Sequence, residues 1–389
     1  MERHYGLDWL RIGAFAILIL YHVGMVFVPW DYHVKLPGAW WSTIPMMASN
    51  PWRLALLFVV SGYASRALLT RSRNVGGFAL NRTARLLVPL IFGMAIVVPI
   101  QPWIELTVKH GYPHDFAWFW MHDYFGFHRI ATLDLPTWNH LWFVVYLWIY
   151  TLLLALATAL IPAQIGAVSQ RGFDALFGTP ALLILPLAWM IVVNLILFPG
   201  GRETHALVGD WVAHASYLPM FLFGFALAGA PRTLAAMVRW WKPAAVLALA
   251  AYAVVASVEL RWPGNVIAPP FWGKTFSIAR AVEGWMAIVA LIGFADTHWN
   301  RDNRWRPMLT EAVFPFYIIH QSVIVVVAWL LIGAGLPTWL DFAILVVATI
   351  AGCWAFYLVG RSIGPLRPLI GLRRHASRRT HVDPRPALV

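Results

Sequence analysis

The sequence predicts an all-α, polytopic transmembrane bundle of about ten helices with both termini on the cytoplasmic side. Three observations lead there. Of the 389 residues 60% are hydrophobic and only 12% charged, whereas a soluble domain carries about a quarter charged residues, so a soluble fold is excluded. Apolar stretches of about 20 residues, the length that crosses a hydrocarbon core, recur along the whole chain. The basic residues fall mainly in alternate connecting segments, which selects one orientation.

The stretches lie near 9–29, 53–70, 84–101, 141–161, 178–198, 211–230, 243–260, 277–295, 311–333 and 338–360. The first has no small-residue cleavage site and runs to Pro29, so it is expected to be a retained span rather than a signal peptide. With the N-terminus inside, 21 of the 29 Lys and Arg fall on the inner side, while Lys35, Arg53, Lys109, Arg129, Arg202, Arg261, Lys274 and Arg280 fall outside. The net charge of +12 is therefore topology, and no nucleic-acid partner is expected. The 23 Trp suit interfacial belts and, in composition, sugar platforms equally well. The lone Cys353, inside an apolar run, excludes disulfides and reads as packing. No repeat or long linker divides the chain. We expect one transmembrane domain over 1–360 and a solvated basic cytoplasmic tail over 361–389, with Arg373, Arg374, Arg378 and Arg379 attracted to anionic lipid.

Ionisable groups inside spans are costly and each needs a reason. In the first span Arg11 and His22 are eleven residues apart, about three turns, so they share a face with His22 about 16 Å deeper; Asp8 joins them. This suits a substrate passage, and equally an interfacial Asp8–Arg11 pair with a core histidine. Ser61-Gly62-Tyr63 in the second span allows close helix approach or a thin wall beside a narrow ligand. Arg82 and Arg85 are neighbours on one helix face, a bidentate arrangement suited to phosphate and also supplied by positive-inside topology. No nucleotide-binding glycine loop accompanies them. Glu105 ends the third span and His140-Leu-Trp142 opens the fourth. Arg280 and Glu283 are expected to form a structural bridge. Tyr317 and His320 sit in the ninth span, His320 at a depth that lets it share a cavity with His22. The outer segment 102–140, rich in Trp and His, is expected to form part of a binding face. His110 and His114 have metal-pair spacing, but Gly111 and Pro113 break the helix the pair needs, and no metal is expected.

Leu7-Asp8-Trp9-Leu10-Arg11 followed by His22, Ser61-Gly62-Tyr63, Arg82-Thr-Ala-Arg85-Leu86 with Pro89, His140-Leu-Trp142-Phe143 and Phe314-Pro-Phe-Tyr317-Ile-Ile-His320-Gln321 occur in this order over nearly the whole chain. Together they resemble the membrane-bound acyltransferase 3 family. Pro89-Leu-Ile-Phe-Gly93 leading to Pro99, Pro102 and Glu105 is similar to the branch containing osmoregulated periplasmic glucan succinyltransferases.

The resemblance implies a multi-pass protein of the bacterial inner membrane. It would transfer an acetyl or succinyl group from cytoplasmic acyl-CoA to a hydroxyl of a periplasmic or cell-surface carbohydrate, working beside glucan or polysaccharide synthesis machinery. Some relatives carry a further soluble esterase-like domain, and any such step is expected to need another protein. On this reading Arg82, Arg85 and Arg11 take the CoA phosphates, and the pantetheine arm passes Ser61, Gly62 and Tyr63. His22 is the general base or a transient acyl carrier, with Asp8 and Arg11 beside it. Glu105 or Glu283 orients His22 or binds sugar, with His140, Trp142, Tyr317 and His320 lining the same cavity. A proton-coupled transporter or flippase is the competing expectation, since transporters also bury ionisable residues; no inverted repeat supports it.

Overall fold

In lipid every backbone polar group must be paired within the chain, so apolar runs of this length fold as helices. The computed structural model describes residues 4–72, 74–264 and 266–373, and it is built almost entirely of helices. In order they are α1 (Tyr5–Met25), α2 (Thr43–Met47), α3 (Arg53–Arg71), α4 (Val75–Phe92), α5 (Ile100–His110), α6 (Phe116–Trp118) and α7 (Trp142–Leu160). Then come α8 (Ala163–Phe177), α9 (Ala181–Val192), α10 (Trp211–Leu227), α11 (Pro231–Arg261), α12 (Pro270–His298), α13 (Arg306–Leu330), α14 (Thr338–Ser362) and α15 (Leu366–Leu369). A small hairpin of two two-residue strands, β1 (Arg129–Ile130) with β2 (Leu133–Asp134), lies between α6 and α7.

Among the described residues eight helices are long and apolar enough to cross a membrane. A ninth arises if α8 and the α9 segment, bent by 99°, count as one broken span. The sixth expected span, α10, has only 17 residues, fewer than a crossing usually needs.

Three expectations change. The third span is not confined to 84–101: α4, a π-helical turn at Gly93–Val97 and α5 form one 36-residue element, Val75–His110. Pro99 has no N–H, so the ladder cannot run through it regularly, and the π turn absorbs the break. The freed carbonyls are taken by side chains. Tyr124 Oη donates to Met94 O at 2.8 Å, Trp120 Nε1 to Ala95 O at 2.8 Å and Ser322 Oγ to Val97 O at 2.7 Å. Secondly, the chain beyond 360 is not solvated throughout: residues 361–365 are exposed, but the chain then packs back onto the bundle. Ile370 and Leu372 are buried with Tyr357 and Ala312, and Arg367 Nη2 lies 3.7 Å from Glu311. Arg3, Arg73 and the tail from Arg374 lie outside the described residues. Thirdly, Arg280 turns away from Glu283: its Nη2 donates to Asn50 Oδ1 at 2.8 Å, and neither Glu283 oxygen has a hydrogen-bond partner among the described residues.

The core joins α1, α3, α7, α10, α12 and α13 around Phe58, Tyr146, Phe221, Trp285 and Tyr317. The α3–α10 crossing is unusually close because each helix offers a glycine. Gly62 lies against the Phe221 carbonyl and Gly224 against that of Val59.

Candidate active site

Along α1 the two ends are equipped differently. At its start Asp8 Oδ2 accepts from Arg306 Nη1 at 2.8 Å, and Arg306 also pairs with Asp302 at 2.7 Å. Arg11 donates to Thr310 O at 3.0 Å. Arg82 and Arg85 from α4 are within electrostatic range of Arg11. Arg11 Nε and Arg82 Nε are buried without a hydrogen-bond partner among the described residues. Arg11 and Arg82, each with an unused buried donor, stand near the exposed Arg85, an arrangement whose chemistry suits an anion.

At the other end of α1, about 16 Å along the axis, lies a cavity of about 790 Å³. His22, Glu105, His140, Trp142 and Tyr317 line it, as do Tyr21, His33, Asn50, Arg53 and Arg280. His22 and His320 are in contact: His320 Nε2 lies 3.1 Å from His22 Nδ1, and His320 Nδ1 lies 2.8 Å from Tyr317 O. A carbonyl only accepts, so His320 Nδ1 carries its proton. In the neutral ring Nε2 is then an acceptor, and His22 Nδ1 must donate to it. The lone pair of His22 is thereby placed on Nε2, which has no protein partner among the described residues.

His320 is fully buried behind His22 and does not line the cavity, contrary to the sequence expectation. Neither Glu105 nor Glu283 orients His22, because His22 Nδ1 is already used. Glu105 Oε2 instead accepts from His33 Nδ1 at 2.5 Å, and Oε1 from Lys109 at 2.9 Å. The chain of bonds continues with a consistent direction. Gln321 Nε2 donates to His33 Nε2 (2.9 Å) and Gln101 Oε1 (3.1 Å), Asn139 Nδ2 donates to the same oxygen (3.1 Å), and Gln101 Nε2 donates to Ser322 Oγ (2.7 Å). This network fixes one wall.

The opposite wall is aromatic. Trp142 stacks on His205 at 4.1 Å. That contact is set by Asp210, which caps α10 through Ala213 N and also accepts from the amides of Thr204 and His205. Asn139, at φ +40°, turns the chain into α7 and brings His140 in, where Nε2 donates to the carbonyls of Tyr317 and Ile318 and the Tyr317 hydroxyl donates back to His140 O.

Ser61, Gly62 and Tyr63 do not line this cavity; Gly62 is accounted for by the α3–α10 crossing, and Tyr63 meets His4 edge-on. Glu283 is buried outside it. His114 and His122 each stack on Trp118. The sequence reading overlooked Tyr21, His33, Asn50, Gln101 and Arg53 as site residues. The available signal was a set of polar groups at and just beyond the ends of otherwise apolar spans.

The family model described as an acyltransferase domain, acyltransferase 3, matches residues 4–358, from the start of α1 almost to the end of α14. The chain belongs to the acyltransferase 3 family. It is thus a membrane acyltransferase, and the match spans both the arginine cluster and the cavity. No curated protein and no solved structure matches this acyltransferase.

Proposed function

We propose that this protein is an O-acyltransferase of a bacterial inner membrane, moving an acetyl or succinyl group from cytoplasmic acyl-CoA to a hydroxyl of a periplasmic or cell-surface carbohydrate. The observation that carries this reading is the ordered chain Tyr317 O, His320, His22, which leaves His22 Nε2 as an unpaired base in the cavity.

The CoA phosphates rest on Arg11, Arg82 and Arg85, where the unused buried donors of Arg11 and Arg82 suit anionic partners. The thioester reaches the cavity along α1, and a sugar stacks against Trp138, Trp142 and Tyr217. The acceptor oxygen attacks the thioester carbonyl carbon as its proton passes to His22 Nε2. The C–S bond then breaks, and the proton passes on to the departing thiolate, leaving an ester and free CoA. His320 holds the imidazole in the accepting tautomer before attack and keeps its bond to Nδ1–H while Nε2 carries the proton.

The test is thioester consumption by purified protein with acetyl-CoA and succinyl-CoA, with a glucan acceptor. His22→Ala is expected to lose roughly 10²- to 10⁴-fold, and Arg85→Ala to bind CoA more weakly. Full turnover by His22→Ala would overturn the assignment. Substrate flux through proteoliposomes without thioester consumption would favour a transporter.

A further inference from the structure

Three arginines, Arg53, Arg202 and Arg280, line the cavity beside three carboxylates, Asp31, Glu105 and Glu203. All three carboxylates are already engaged. Asp31 and Glu105 hold Lys109 at 2.7 and 2.9 Å. Glu203 accepts from the Tyr217 hydroxyl at 2.7 Å and pairs with His205 at 3.3 Å. Glu283, one turn from Arg280, is 2% exposed and lies outside the cavity.

Among the described residues Arg53 therefore stands without a counter-ion. It is only 7% exposed, and its Nε and Nη1 have no hydrogen-bond partner among the described residues. Its position is nevertheless fixed. The guanidinium lies 3.3 Å from the centre of the Tyr21 ring, the residue next to His22. Asn50 donates to the Tyr21 hydroxyl at 2.7 Å and accepts from Arg280 at 2.8 Å. Tyr21 and Asn50 thus frame two guanidiniums on the wall next to the reacting imidazole. A buried, preorganised cation with unused donors is costly unless an anion completes it.

We propose that Arg53 and Arg280 form a carboxylate subsite of the transfer cavity, rigidly placed beside His22. This rests on the acyltransferase reading and deepens it. The anion is either the terminal carboxylate of a dicarboxylic acyl group or an acid group on the carbohydrate acceptor. Planar guanidinium forks suit a carboxylate held by paired hydrogen bonds.

Full-length protein in detergent separates these sources. With a neutral glucan acceptor, kcat/KM for succinyl-CoA is compared with that for butyryl-CoA, which replaces the carboxylate by a methyl group. In a second arm, acetyl-CoA is used with neutral and carboxylated glucans. One charged substrate is expected to be preferred by roughly 10- to 100-fold, the range of one or two charge-assisted hydrogen bonds, with the ratio falling toward one in Arg53→Gln and Arg280→Gln. A preference in the first arm assigns the carboxylate to the acyl group, and one in the second assigns it to the acceptor. A turnover-independent readout accompanies both: succinate, but not succinamide, is expected to raise the thermal midpoint of wild type and not of Arg53→Gln. If succinate protects while no thioester is consumed, the acyltransferase reading fails and the subsite stands. Ratios unchanged by both variants, with no protection by succinate, would overturn the subsite.

Discussion

His22 Nδ1 and His320 Nε2 lie 3.1 Å apart, joining α1 to α13 by one hydrogen bond between two imidazoles. Because His320 is itself anchored on Tyr317 O, one carbonyl sets the protonation pattern of both rings.

His320→Leu removes the acceptor that orients His22. We expect kcat to fall by roughly 10- to 100-fold, less than the 10²- to 10⁴-fold loss of removing a base outright, with little change in KM for acyl-CoA. Steady-state kinetics on both variants checks the order of the two effects. Equal losses would mean that His22 has no activity as a base without His320 to orient it.

At the other end of α1, Arg306 is 4% exposed and balanced by Asp8 and Asp302. Asp8→Ala leaves a buried cation short of one partner and is expected to cost about 3 kcal/mol. The readout is the thermal unfolding midpoint in detergent, which Asp302→Ala, at the more exposed partner, lowers less.

Gly62→Ala or Gly224→Ala drives a methyl group into the backbone of the facing helix, with an expected loss of about 1 to 3 kcal/mol. Gly13→Ala in α1 meets nothing within 4 Å and is expected to be neutral or to gain up to about 1 kcal/mol from helix propensity. Unfolding midpoints of the three variants decide it, and equal shifts would remove the close-crossing argument.

Lys35 closes the end of α1, its ammonium donating to the carbonyls of Met25, Val28 and Trp30. Lys35→Met unties the turn that carries Asp31, Tyr32 and His33 into the cavity. We expect KM for the carbohydrate to rise several-fold while KM for acyl-CoA is unchanged, since the arginine cluster lies at the far end of the helix.

Much of this was readable from the chain because lipid imposes simple rules. Apolar length located the spans, and helical rise put His22 and His320 at matching depth. The α4–α5 element was read short because its first turns, with Asn81, Arg82 and Arg85, are polar on one side, and because Pro89, Pro99 and Pro102 look like terminators. Their carbonyls are rescued by Trp120, Tyr124 and Ser322, partners distant in sequence. The Arg280–Glu283 bridge failed for a related reason. Spacing brings two side chains to one helix face but does not fix their rotamers, and Asn50 competes successfully for Arg280. Glu105 lines the cavity as the sequence reading expected, yet its partner His33 sits on a loop whose path no periodicity describes.

The separation along α1 also acts as a gauge. Arginines grip one end and an imidazole waits about 16 Å on, so the helix measures the carrier as well as holding it. On the proposed function, a thioester on a short synthetic thiol forfeits the grip when its acyl carbon meets His22, and one gripped at the arginines stops short of it. Selectivity for the full-length carrier would then reside in the pitch of a single helix, and inserting one turn between Arg11 and His22 would retune it.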